Sequence, residues 1–174
     1  MAADRCTAER LLRVIHACEK GATGVYWGHR LVAAVLHRDV VPQLTLMHAH
    51  ELEHYSLFGE IMKRRNVRTV VAPAFWCAGG IIYGVVTGLG GRRAIWKSTA
   101  VIEAIVEREL REAATHFEHS DPEVHAAIHR ILLDEMQHKL AGELQSPGDG
   151  PLDAAVGTAA RAGAAASKRL AEKL

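Results

Sequence analysis

One arrangement occurs twice in this chain and narrows the folds open to it: a lone glutamate, then a Glu-x-x-His motif a fixed distance later. The first copy is Glu19 followed by Glu51 and His54, and the second is Glu103 followed by Glu135 and His138. The two glutamates stand 32 residues apart in each copy (51 − 19 and 135 − 103). Both motifs fall in segments of helical period, where residues three apart stand over one another, so each Glu and His project together. Along the second segment the apolar face reads Leu44, Met47, Glu51, His54, Phe58, Ile61; along the fifth it reads Val124, Ile128, Ile131, Glu135, His138. Glu19 interrupts a stripe of Leu12, Ile15 and Tyr26, and Glu103 one of Thr99, Ile102, Val106 and Leu110. All six polar residues therefore point where a helical core should be.

Four carboxylates buried without partners would each cost several kcal/mol or take up protons. Two divalent cations set against four carboxylates and two neutral imidazoles bring the net charge to zero. Mixed carboxylate and imidazole ligation suits iron or manganese, whereas a structural zinc site would favour thiolates. This set on four helices is the pattern of a carboxylate-bridged di-iron centre. Glu19 with His54 would serve one metal and Glu103 with His138 the other, Glu51 and Glu135 bridging, with positions left open for O2. No catalytic residue beyond these six ligands is expected. Asp134 is weighed as an acceptor that orients a ligand histidine, against a solvated helix residue. Glu107 reads as an ion pair with Arg111, Cys18 as a small packing residue, and His16, His48, His50, His116, His119, His125 and His129 as helix surface.

The period is helical nearly everywhere, and no stretch alternates as a strand would. Helices are expected over about 8–37, 39–65 with Asp39 as N-cap, 93–119, a segment to about 144 opened by a capping box at 120–123, and 152–174. Residues 146–151 (SPGDGP) form the clearest loop. Between the two ligand-bearing halves lies an uncharged run at 70–91, long enough in principle to span a membrane but rich in glycine. It reads better as a helix seated partly on the bundle and partly on a membrane surface, or as a dimer contact. The expected architecture is all-α, a four-helix bundle with two additional helices, in a single domain over 1–174.

At 174 residues the chain can bury a sizeable core. A formal net charge of +1, with no basic tract, argues against nucleic acid as a partner. Three scattered cysteines, Cys6, Cys18 and Cys77, fit a reducing compartment and not a disulfide scaffold. The N-terminus has no signal-peptide build, so an intracellular protein is expected.

The same residues, in this order, resemble the demethoxyubiquinone hydroxylase family of ubiquinone biosynthesis, ferritin-like di-iron proteins. The resemblance runs through residues 13–22 (RVIHACEKGA) and 25–28 (VYWG), then Glu51 to His54 with Phe58. It continues through 66–68 (NVR), 73–76 (PAFW), the Gly-rich run, 98–103 (STAVIE), 121–123 (DPE), 134–138 (DEMQH) and the tail 162–174. All six ligand positions match. Ile15 and Cys18 replace the family's Asp and Gly, the Pro after the 66–68 element is absent, Leu133-Asp134 replaces Asp-Glu, and Glu109-Leu110 stands where the family shows a His-Tyr pair.

The resemblance implies a ferritin-like bundle holding two iron ions (Fe2+/Fe3+) and a monooxygenase that hydroxylates the ring of a demethoxyubiquinone-type lipid quinone with O2. NADH is the implied electron donor. The implied setting is peripheral, at the cytoplasmic face of a bacterial inner membrane or the matrix face of the mitochondrial one. A homo-oligomer or a lipid-presenting protein is the implied protein partner. Three rivals stand beside this reading: a ferritin- or rubrerythrin-like iron store or peroxidase, a di-iron hydroxylase of another hydrophobic substrate, and a non-catalytic helical scaffold with a decayed site.

Overall fold

The computed structural model describes residues 2–173. Six α-helices follow one another: α1 (Ala2–Leu36), α2 (Val41–Arg64), α3 (Ala74–Leu89), α4 (Arg92–Phe117), α5 (Pro122–Gln145) and α6 (Pro151–Lys173). A single 3-10 turn, Arg38–Val40, links α1 to α2, and no strand occurs among the described residues. So short a connection folds α2 back along α1, and the turn between α4 and α5 does the same. Helices α1, α2, α4 and α5 make the bundle, while α3 lies on α1 and α6 lies across α4 and α1. The fold is all-α, a ferritin-like bundle with two extra helices.

Helix ends show where local chemistry decides. The Asp121 side chain accepts from the Val124 N–H at 3.1 Å and caps α5, with Pro122 in the first turn. The capping box expected from Ser120 is therefore displaced by one residue. Ser120 Oγ donates instead to the His116 carbonyl, and Glu123 pairs with Arg64 at the end of α2 and with Arg65 just beyond it. Asp39 does not cap α2 either: it sits in the 3-10 turn and binds Arg92 at 2.7 Å, joining the start of α4 to that turn. At the head of α4, Gly91 has φ 93°, a left-handed conformation that glycine adopts without strain. Helix α1 begins earlier than expected, at Ala2.

The core has two apolar ends with a polar layer between them. One end joins Leu12, Ile15, Phe58, Ile61, Leu110, Phe117, Ile128 and Ile131. The other joins Tyr26, Ala33, Leu44, Met47, Ile95 and Trp96. A third, smaller cluster of Val14, Ala17, Val70, Trp76 and Ala171 fastens the outer helices to α1.

The uncharged run becomes the 16-residue helix α3, and no described helix is long and apolar enough to cross a membrane. Glycines let α3 approach α1 backbone to backbone. A Cβ built on Gly80 would lie 2.1 Å from the Gly21 carbonyl oxygen, and one on Gly24 2.2 Å from that of Cys77. The other side of α3 exposes Phe75, Ile82, Val86 and Leu89, and α1 exposes Trp27, Leu31 and Val35.

Candidate metal centre

Each ligand-bearing helix gives its residue to the polar layer because that residue occupies a core register. All six of Glu19, Glu51, His54, Glu103, Glu135 and His138 are at most 3% exposed. They form two groups, Glu19–Glu51–His54–Glu135 and Glu51–Glu103–Glu135–His138, in each of which one ligand atom per residue lies within 4.8 Å of the others. Glu51 and Glu135 belong to both. Every member of the second copy stands 84 residues after its counterpart (103 − 19, 135 − 51, 138 − 54), so the layer has an internal two-fold character.

The inward nitrogen of each imidazole faces carboxylates. His54 Nδ1 lies 3.0 Å from Glu135 Oε1, 3.6 Å from Glu19 Oε2 and 4.0 Å from Glu51 Oε2. His138 Nδ1 lies 3.3 Å from Glu51 Oε1, 3.9 Å from Glu135 Oε2 and 4.0 Å from Glu103 Oε1. None of these approaches has hydrogen-bond geometry. Both oxygens of Glu19 and of Glu135, one each of Glu51 and Glu103, and both Nδ1 atoms are buried with no hydrogen-bond partner. Buried polar atoms are ordinarily paired. Eight orphaned atoms converging on two points fit the chemistry of bound cations.

Electrostatics lead to the same conclusion. Burial, then the charges of Glu135 and Glu103, push the Glu51 carboxyl well above its usual range. Burial and Glu135 do the same to Glu103. Burial works to lower the pKa of His54, but the adjacent Glu135 and Glu19 carboxylates outweigh it and raise it to about 11. His138 is shifted the other way, lowered by burial. Without a cation the layer therefore holds protons that two positive ions would displace.

The surroundings differ from one half to the other. His54 Nε2 is 3.2 Å from Asp134 Oδ2, so Asp134 orients an imidazole from across the bundle. His138 Nε2 is 3.0 Å from His50 Nδ1. The Tyr26 hydroxyl donates to Glu103 Oε1, and burial with the Glu103 charge raises the phenol's pKa well above its ordinary value. Periodicity alone missed Tyr26 and His50. Tyr26 looks like one more core aromatic, and its partner is distant in sequence. His50 is assigned to the surface because its neighbour Glu51 claims the core face. The available signal was the repeat itself, since His50 and Asp134 both precede the Glu of a Glu-x-x-His motif.

Other candidates resolve plainly. Glu107 pairs with Arg111 and Lys139, whose hydrogen bonds hold its carboxyl below the usual range, so it stands outside the cluster. His16 is not a surface residue: it is 2% exposed, stacked on Tyr55 at 4.2 Å, and lowered to about 4 by burial and Lys20. Burial and the Glu19 charge push the Cys18 thiol up to about 12, which keeps it in the protonated, weakly nucleophilic form.

A cavity of about 380 Å³ opens beside the first half, between α1, α3, α4 and α6. Its lining includes Glu19, Trp76, Tyr83, Ile102, Glu109 and Leu110. Glu109, in its wall, is paired with Lys168 of α6.

Comparison with known proteins places the chain among named relatives. A mitochondrial NADPH-dependent 3-demethoxyubiquinone 3-hydroxylase of Dictyostelium discoideum is 28% identical over 141 residues, which cover 77% of this chain and 62% of that protein. Its human counterpart is 28% identical over 139 residues, covering 77% and 63%. A 3-demethoxyubiquinol 3-hydroxylase of Rhodospirillum rubrum is 27% identical over 158 residues, covering 90% and 73%. The chain thus spans a little under two thirds of the length of the first two relatives. The profile of the family described as ubiquinone biosynthesis protein COQ7 matches residues 6–170, and with that match over nearly its whole length the chain belongs to this family.

Proposed function

We propose that this protein is a di-iron monooxygenase that hydroxylates the ring of a demethoxyubiquinone-type lipid quinone. The observation that carries the reading is the pair of interlocked carboxylate–imidazole groups sharing Glu51 and Glu135, with Glu19 also forming part of the cavity wall. In this reading Glu19 and His54 would hold one iron and Glu103 and His138 the other, with Glu51 and Glu135, which belong to both groups, serving both. Bound iron would supply the redox chemistry: O2, two electrons and two protons in, one oxygen atom into a substrate C–H bond and the other into water. The electrons would come from a reduced nicotinamide; NADH is what the family resemblance implies, and two relatives are named for NADPH.

The protein's own residues prepare that chemistry. Asp134 accepts the proton on His54 Nε2 and so leaves the Nδ1 lone pair facing inward. Tyr26 holds one oxygen of Glu103. Val14, Val25, Trp76, Ile102 and Ile105 keep water from the cavity side of Glu19 and offer an apolar seat for a prenylated ring. The exposed apolar residues of α1 and α3 support contact with a membrane surface, from which such a substrate would enter. Core clusters shared among all six helices support one domain over 1–174.

The test is mass spectrometry of demethoxyubiquinone incubated with iron-loaded protein, reduced nicotinamide and ¹⁸O2 in detergent. A product carrying one ¹⁸O, absent with Glu51→Ala, is expected. A protein that binds two irons and consumes O2 but leaves the quinone unchanged would overturn the substrate. The Glu109–Lys168 pair, in a cavity wall where the family shows His-Tyr, favours one second reading: a di-iron hydroxylase of another hydrophobic substrate. An iron store or peroxidase would have no use for the cavity.

A further inference from the structure

The repeat that relates the ligands also relates their supports. Asp134 stands 84 residues after His50 (134 − 50), and each directly precedes the shared carboxylate of its own helix. Each reaches across the bundle to the outer nitrogen of the imidazole on the facing helix, Asp134 to His54 at 3.2 Å and His50 to His138 at 3.0 Å. One position is a carboxylate and the other an imidazole.

The His50–His138 contact is a hydrogen bond made edge to edge. The ring planes are 15° apart and the centroids 5.2 Å apart, against 4.2 Å for the face-to-face stack of His16 on Tyr55. The 5.2 Å centroid separation is close to the 3.0 Å nitrogen–nitrogen distance plus the two ring radii, so the near-parallel rings lie side by side with the nitrogens facing, as an N–H···N bond requires. Its direction follows from the inner end of His138. If Nδ1 gives its lone pair to a cation, Nε2 must carry the ring proton, and His50 Nδ1 must accept it.

We infer that His50 is the positioning residue for His138, the counterpart of Asp134 behind His54, and that this difference makes the two metal positions unequal. The inference rests on the two-metal reading above. A carboxylate acceptor draws harder on an imidazole N–H than a second imidazole does, and so makes the ligand a stronger donor. His54 should accordingly bind its metal more tightly than His138. His50 itself is half-buried, and its role requires only the lone pair on Nδ1.

The test is a titration of the metal-free full chain with Co(II), followed by visible absorption. The wild type should take up two Co(II) in two resolved steps. His50→Ala should weaken the second step about 10- to 100-fold and leave the first in place. Asp134→Ala should weaken the first step instead, which assigns the steps to the halves. His50→Gln, whose amide oxygen can accept the same proton, should restore the second step to within a few-fold of wild type. Circular dichroism of the metal-free variants would check that all are folded. If His50→Ala shifts both steps equally or neither, or if His50→Gln fails to rescue, the positioning role is overturned. A wild type that binds no Co(II), or only one, would remove the two-metal reading and this inference with it.

Discussion

Around Glu19 and His54 the chain places an apolar cavity and a carboxylate; around Glu103 and His138 it places a phenol and an imidazole. The ligand types are the same in both halves, so the contrast lies in what touches them. Tyr26 and Leu110 occupy corresponding positions (110 − 26 is again 84), yet only Tyr26 can donate a hydrogen bond. Glu103 therefore has one oxygen satisfied, while both oxygens of Glu19 remain without a partner. Leu110 also belongs to the segment where the family's His-Tyr pair is replaced, and it helps line the cavity. The second half is closed and braced, and the first is open toward the space where a substrate would lie. An internally repeated bundle can thus give its two like-liganded halves different surroundings by changing a few neighbours.

The largest effect should come from removing what the halves share. Glu51→Ala should take the bound metal from two per chain toward none, whereas Glu19→Ala should leave the Glu103–His138 position occupied. Elemental analysis after anaerobic iron loading reads both. Equal losses in the two variants would mean that the halves are not separable.

The pH dependence of the metal-free protein comes next. Glu51, Glu103 and His54 are all raised on folding, so the stability linked to them is fully present below their unfolded values and is lost as pH rises through the folded ones. His16 and His29 are depressed, to about 4 and about 3, so their contribution is present above 6.5 and fades as pH falls through those values. Thermal melts of the chelated protein should therefore peak between about pH 4.5 and 6.5 and decline toward pH 9. The metal-loaded protein should gain stability over that same rise, because its ligands are already deprotonated. Parallel curves with and without metal would contradict the assignment of these residues to a cation site.

Two substitutions at the Tyr26–Leu110 pair sharpen the contrast at smaller scale. Tyr26→Phe leaves both oxygens of Glu103 without a partner, as in Glu19, and should cost about 0.5–1.5 kcal/mol in urea unfolding of the metal-free protein, where Glu103 holds its proton, as loss of an uncharged hydrogen bond does. Leu110→Tyr would give Glu19 the missing donor. It should change stability by no more than about 1 kcal/mol, its hydrogen bond offset by the added bulk, and, because it restores the tyrosine the family shows there, it should leave turnover of the quinone intact. A Leu110→Tyr variant with much slower turnover would indicate that this chain's substrate fills the space Leu110 leaves, and would favour the reading of another hydrophobic substrate.

Much of this was legible in the chain. The six polar residues interrupt apolar stripes at steps of three and four, so the bundle and its buried layer follow from helical periodicity. The glycines of the uncharged run spoke only against a membrane span; their use in letting α3 lie directly on α1 depends on a helix contact that the sequence does not show. What escaped depends on helix crossing. Tyr26 reaches Glu103 from 77 residues away, and nothing near Tyr26 distinguishes it from a core aromatic. His50 lies off the core face of α2 and gains its role only because α5 brings His138 against it. His16 is hidden by Tyr55 of the neighbouring helix, and Asp39 is drawn from its expected cap by Arg92, more than fifty residues on. Local patterns thus placed the helices and their faces, and the contacts between helices set the chemistry around the ligands.

The most direct test of the central claim is a crystal structure of the iron-loaded protein measured at the iron absorption edge. Two anomalous peaks are predicted within the polar layer, one against Glu19 and His54 and one against Glu103 and His138, with Glu51 and Glu135 touching both. A single peak, or iron bound elsewhere on the surface with the layer empty, would contradict it.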